Sequence, residues 1–210
     1  MPPTLLNDPA ILLWRPDPAA GWPKLAISSA ALGGGLGTRH WVFNMTVPSG
    51  YDRPDPEVHL ADTAGQLGLD GEGVGLMTAV DVGERVTTVD GGVEVTATVG
   101  LGSPGWAAAP DGYLRPAPGT VNIVALLPVR LADAALVNAV LTATEAKVQA
   151  LVELGIPATG TPSDAICIAC PPDGEPAPYG GPRSAWGARL ARAVYRAVRA
   201  GGATELRRPG

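Results

Sequence analysis

From Leu131 to Leu154 the chain runs without a glycine or a proline, in a sequence of 210 residues that holds 28 of the first and 22 of the second. The stretch predicts one long helix, with Asp133 in its first turn and Gly155-Ile156-Pro157 stopping it. Elsewhere glycine and proline punctuate short runs. "ILLWR", "KLAISSA" and "RHWVFNMTV" read as strands near the start, followed by "VGLMTAVDV", "RVTTV", "VEVTATVGL", "TVNIVALLPVRL" and "DAICIACP". Asp90-Gly91-Gly92 between two of these runs is a hairpin signal. Two further helices are expected: Asp55 to Leu69, with a proline just inside its start, and Arg183 to Ala200, with Trp186, Leu190, Val194 and Val198 on one side. Hairpins interspersed with helices predict an α+β layered domain over residues 1–210: one mixed, largely antiparallel sheet with about three helices on it. Loose ends are expected at 1–8 and 202–210, and disorder in the proline-rich loops near 104–118 and 171–182.

The totals exclude several classes. With 46% hydrophobic residues the chain can bury a full core. A net charge of -5 and an acidic pI leave no electrostatic footprint for a nucleic acid partner. The start carries no basic leader and no apolar run long enough for a membrane, so a cytoplasmic protein is expected. Cys167 and Cys170 are too few for a disulfide framework. Residues three apart on a strand point to opposite faces, so this pair with His40 and His59 makes a poor metal site and none is expected.

The sequence has two lysines against thirteen arginines, and one of the two, Lys147, falls inside the long helix. At 100° per residue, Val137, Val140, Leu141, Val148 and Leu151 lie within about 60° of Thr144, and so does Lys147. This stripe is expected to face inward. Glu145 lies about 100° to the other side, and i,i+2 spacing rules out a salt bridge between Glu145 and Lys147. The lysine either lays its stem on apolar neighbours and reaches water, or it projects into a cleft where its charge could orient a polar group.

Taken together, "SSAALGGGL", "NMTVPSGYDRPDP", "VGLMTAVDV", "GTVNIVALL", "LVNAVLTATEAKVQALVELGIPATGTPSDAI" and "YGGPRSAWGARLARAVYRAV" resemble the adenosylcobinamide amidohydrolase family in order and spacing. The Thr-Ala-Thr-Glu-Ala-Lys run, followed by Thr159-Gly160-Thr161 and Asp164, is the most specific part. The resemblance implies hydrolysis of the amide that joins aminopropanol to the corrin ring of adenosylcobinamide, giving adenosylcobyric acid. It implies a corrinoid substrate whose cobalt is its own, and no further cofactor. A corrinoid-binding or carrier protein without turnover is the alternative.

An amide hydrolase needs a nucleophile, an oxyanion site and a proton for the leaving amine. No Gly-x-Ser-x-Gly elbow occurs, and with two histidines a Ser-His-acid triad has little support. The expected mechanism is water attack assisted by Glu145 or Asp164, with Lys147, Asn122 or backbone amides holding the oxyanion. A second route is open, because Thr120 and Thr161 each follow glycine and self-cleavage can free an N-terminal threonine. Gly33, Gly34 and Gly35 form no dinucleotide or Walker fingerprint; their lack of Cβ would let a flat ligand lie on main chain. Tyr51 and Met77 could add apolar contact. Asn44, Thr78, Thr144, Thr159 and Thr161 complete the expected substrate contacts by their places in the matched motifs.

Overall fold

The computed structural model describes residues 2–7, 9–15, 21–112 and 118–208. In chain order the strands are β1 (Thr4–Asn7), β2 (Ala10–Trp14), β3 (Lys24–Ser28), β4 (Gly35–Arg39) and β5 (Trp41–Thr46), then β6 (Gly73–Thr78), β7 (Val86–Asp90), β8 (Val93–Val99), β9 (Val121–Leu126) and β10 (Ala165–Cys170). The helices are α1 (Pro56–Gln66), α2 (Asp133–Glu153) and α3 (Ala185–Glu205). The α+β class is as expected, but there are two sheets where one was expected. The first runs β1-β2-β5-β6, with only β5 and β6 parallel. The second runs β4-β3-β10-β9-β8-β7, with only β9 and β10 parallel.

The sheets stack face to face between layers of helix. Successive strand residues point to opposite faces, so Ile11, Leu13 and Phe43 meet Leu60 and Ala64 of α1, while Leu12 and Val42 meet Val124, Cys167 and Ala169 of the second sheet. The outer face of the second sheet packs Val95, Ile123 and Ile168 against α2 and α3. A strand buried on both faces reads as a continuous apolar run, and such a run does not say which sheet it joins.

Helix α2 matches its expected span to within two residues, yet its buried face differs. Val137 and Leu141 are 52% and 55% exposed, and the inward face consists of Ala135, Ala139, Ala143, Ala146 and Ala150 with Leu136 and Leu151. Close approach is the reason: a Cβ on Gly180 would lie 2.1 Å from the carbonyl oxygen of Ala135, so this surface admits only small side chains. Thr142 also faces inward and donates to the Gly180 carbonyl at 2.9 Å.

Helix α3 buries Leu190, Val194 and Val198 as expected and begins at a Ser184 cap, whose hydroxyl accepts from Gly187 N at 3.1 Å. It continues through Gly201 and Gly202, past the expected end, because these glycines pack on Val99 and Leu154. Residues 4–7 and 202–205, expected to be loose, lie in β1 and α3. Of the proline-rich loops, 171–182 is described throughout and pairs with the rest of the chain through Ala177 and Arg130; residues 113–117 lie outside the described part.

The β7–β8 hairpin forms as predicted, with Gly91 and Gly92 at positive φ. Its Asp90 accepts from Arg192 at 2.7 and 2.9 Å and from Arg196 at 3.1 Å, which ties the turn to α3. These guanidiniums hold the Asp90 carboxyl down at about 2, against an ordinary 3.8. A depressed carboxylate stabilises the fold in full above its unfolded value and loses that contribution as pH falls through the folded one. The acid limb of the stability curve between about pH 4 and pH 2 is therefore expected to flatten in Asp90→Asn, as followed by thermal melts.

Candidate functional site

A cavity of about 790 Å3 opens at one end of the sandwich, where the ends of β3 and β6 meet the starts of β9 and β10. Both sheets build it. Met77 and Thr78 come from the first, Asn122 from the second, and Thr120, Ser163 and Asp164 from the turns leading into β9 and β10. Tyr51 and Leu60 cover it from the side of α1.

Asp164 is the most heavily bonded group at this end. Its Oδ1 accepts from Val121 N at 2.8 Å and from the Thr161 hydroxyl at 2.5 Å; its Oδ2 accepts from Thr161 N at 3.1 Å and from Lys147 Nζ. Lys147 and Asp164 have side chains only 8% and 11% exposed. The lysine thus neither reaches water nor lines the cavity: it crosses from α2 to pair with the turn before β10. A Cβ on Gly160 would lie 2.3 Å from Asp164 Oδ2 and 2.5 Å from Lys147 Nζ, so glycine there makes room for the pair. An ionised carboxylate has about four acceptor positions, and all four are taken, so Asp164 has none left to receive a proton from a water. It acts as a positioning group for Val121 and Thr161.

Asn122 donates from Nδ2 to Asn44 Oδ1 and to the Met77 carbonyl, both at 2.9 Å, and Asn44 donates in turn to the Thr98 hydroxyl at 3.0 Å. This buried chain of amides stitches the two sheets together behind the cavity. Both hydrogens of the Asn122 amide are engaged, so it has none for an oxyanion; what it can offer a ligand is its carbonyl oxygen.

Thr120 and Ser163 bring two hydroxyls within 2.6 Å of each other, and Ser163 also donates to the carbonyl of Gly119 at 3.3 Å. Ser163 was missed in the sequence; its only signal was its place between Thr161 and Asp164, residues already singled out. The Tyr51 hydroxyl, from another lining segment, lies 3.0 Å from His59 Nδ1 and the two rings stack. Burial pushes the Tyr51 phenol above its ordinary value, which keeps it a proton donor.

Several expected site residues lie elsewhere. Glu145 is exposed on α2 and does not line the cavity. Thr144 spends its hydroxyl on the Val140 carbonyl at 2.9 Å. Gly33, Gly34 and Gly35 form a pinned turn away from the cavity: Arg39 donates to the carbonyls of Gly33 and Gly34, and a Cβ on Gly33 would lie 1.8 Å from the Gly73 carbonyl oxygen. That contact and a φ of +72° require glycine at position 33. Thr159 accepts from Ala107 N at 2.8 Å beside a separate hollow at Trp106. Thr161 is committed to Asp164.

The two cysteines face opposite sides of β10, Cys167 between the sheets and Cys170 toward α2 and α3. Burial pushes the Cys167 thiol up to about 12, which leaves it neither a ligand nor a nucleophile in the ordinary range. Among the described residues no three His, Cys, Asp or Glu side chains converge as a metal site would require, and no helix is long and apolar enough to cross a membrane.

Residues 9–209 match the family model described as adenosylcobinamide amidohydrolase. A protein of that name from Methanosarcina mazei is 31% identical over 182 residues, covering 82% of this chain and 88% of the relative. Another of that name from Halobacterium salinarum is 36% identical over 207 residues, covering 94% of this chain and 85% of the relative. Matches that run through both sheets, the Lys147–Asp164 pair and the cavity place this chain in the adenosylcobinamide amidohydrolase family.

Proposed function

We propose that the chain hydrolyses the amide joining aminopropanol to the corrin ring of adenosylcobinamide, releasing adenosylcobyric acid, and that it does so in the cavity between the sheets. The observation that carries this reading is the Thr120–Ser163 hydroxyl pair inside that cavity, in a chain whose family is named for amide hydrolysis. The cavity suits part of a macrocycle with an amide arm: Tyr51, Leu60 and Met77 give apolar contact, and the two hydroxyls stand on the turns leading into β9 and β10. In this reading Thr120 supplies the attacking oxygen and Ser163 passes protons, while Tyr51, held by His59, is placed to protonate the leaving amine. The cobalt arrives with the substrate and no separate cofactor is assigned. A reducing, cytoplasmic setting is consistent with two buried free thiols.

The test is incubation of the purified chain with adenosylcobinamide, followed by chromatography. Adenosylcobyric acid and free aminopropanol are expected in equal amounts. Tight binding without either product would make the chain a carrier instead.

A further inference from the structure

The cavity holds a nucleophile and lacks a base. Among its described lining residues only Tyr51 and Asp164 carry ionisable side chains; burial raises the first, which keeps it protonated, and the second has every acceptor position filled. Ser163 points its own proton at the Gly119 carbonyl, so against a substrate amide the Thr120 hydroxyl has no group to take its proton.

We infer that the chain cuts its own peptide bond between Gly119 and Thr120, and that the freed α-amino group of Thr120 is the missing base. This deepens the amide-hydrolase reading and rests on it for the purpose of the cut, though not for the cut itself. The hydrogen bonds already run in the direction the reaction needs. Ser163 donates to the Gly119 carbonyl oxygen, so the 2.6 Å contact beside it is filled by the Thr120 hydroxyl donating to Ser163 Oγ. When Thr120 Oγ1 bonds to the Gly119 carbonyl carbon, its proton passes to Ser163 and the Ser163 proton passes to the carbonyl oxygen. A neutral tetrahedral centre results, with no separate base required. Its collapse breaks the carbon–nitrogen bond, returns that proton to nitrogen and leaves Gly119 as an ester on Thr120. Water then hydrolyses the ester to a Gly119 carboxylate and the free Thr120 hydroxyl.

Three contacts support this site over the Gly160-Thr161 pair. A Cβ on Gly119 would lie 2.8 Å from Gly102 N and 3.2 Å from the Gly100 carbonyl oxygen, so the residue before Thr120 has no side chain to shield its carbonyl carbon. On the other side of the bond, the Thr120 carbonyl accepts from Gly100 N at 2.9 Å and Val121 N is held by Asp164. A new N-terminus would stay in place, and the Lys147–Asp164 pair becomes the clamp behind it. An α-amino group titrates near pH 7.7–8.0, which suits a base working close to neutrality. At Thr161, by contrast, the hydroxyl is bound to Asp164 and the Gly160 carbonyl accepts from Gly105 N at 2.9 Å.

The experiment is denaturing mass spectrometry of the purified full-length chain, with N-terminal sequencing. Two fragments are expected, one ending at Gly119 and one beginning Thr-Val-Asn-Ile. Thr120→Ser should still be cut, Ser163→Ala cut more slowly, and Thr120→Val left whole. A single wild-type species of 21.3 kDa overturns the inference, whatever its activity. A cut chain that leaves adenosylcobinamide untouched sustains the cleavage and removes the proposed function instead.

Discussion

Replacing Lys147 by methionine is expected to destabilise the folded chain by about 3–5 kcal/mol, the usual cost of stranding one partner of a buried ion pair. Methionine keeps the apolar stem and the length, so the loss isolates the ammonium. Asp164 would keep its three other donors and still carry a charge on a side chain only 11% exposed. Denaturant melts read this as a lower midpoint at unchanged slope. Turnover should fall as well, by roughly 10^2-fold if Val121 and Thr120 shift by as little as 1 Å. Arginine is not expected to rescue it, because Gly160 leaves room for a compact ammonium and not for a planar guanidinium. A stability change within about 0.5 kcal/mol, the range of ordinary surface substitutions, would mean that the ion pair is not what holds this turn.

Thr120→Val has the largest expected effect on activity. Valine keeps the β-branched shape at the start of β9 and deletes the hydroxyl, so the fold should lose no more than about 1 kcal/mol with the hydrogen bond to Ser163. Turnover of adenosylcobinamide should drop roughly 10^4-fold or more, the scale seen when an enzyme loses its attacking group. Kinetics beside a melting curve separates the two effects. A variant as active as the wild type would remove Thr120 from the chemistry, whichever way the mass of the chain turned out.

The helices were legible in the sequence because their ends are written locally. Pro56 and Gly155 mark boundaries that tertiary structure did not move far. The face of α2 was not legible. Hydrophobicity picks out Val137 and Leu141, whereas the actual contact surface was chosen by how closely Gly180 and α3 approach, which favours alanine. Glu145, expected near the boundary of that stripe, is exposed on α2 and does not line the cavity. Lys147 was legible as an oddity, and the i,i+2 argument rightly sent its partner elsewhere, to Asp164 in a motif seventeen residues on. What no local pattern could reveal was the stacking of two sheets. Asn122 in β9 and Met77 in β6 belong to different sheets and meet only through that packing. Strand β4 was lost for a similar reason: a run as rich in glycine as Gly35–Arg39 reads as a turn until β3 is seen to pair with it.

The central claim is that substrate is processed in the cavity between the sheets. Gly50 lines that cavity, its φ is not positive, and a Cβ there would meet nothing within 4 Å, so a tryptophan can enter without disturbing the fold. Gly65, on the exposed side of α1, has equally open space and lies outside the cavity. The decisive measurement is kcat/KM for adenosylcobinamide in Gly50→Trp and Gly65→Trp side by side, with melting temperatures as controls. The account predicts a severe loss for Gly50→Trp at an unchanged melting temperature and wild-type turnover for Gly65→Trp. Equal turnover in two folded variants would contradict it.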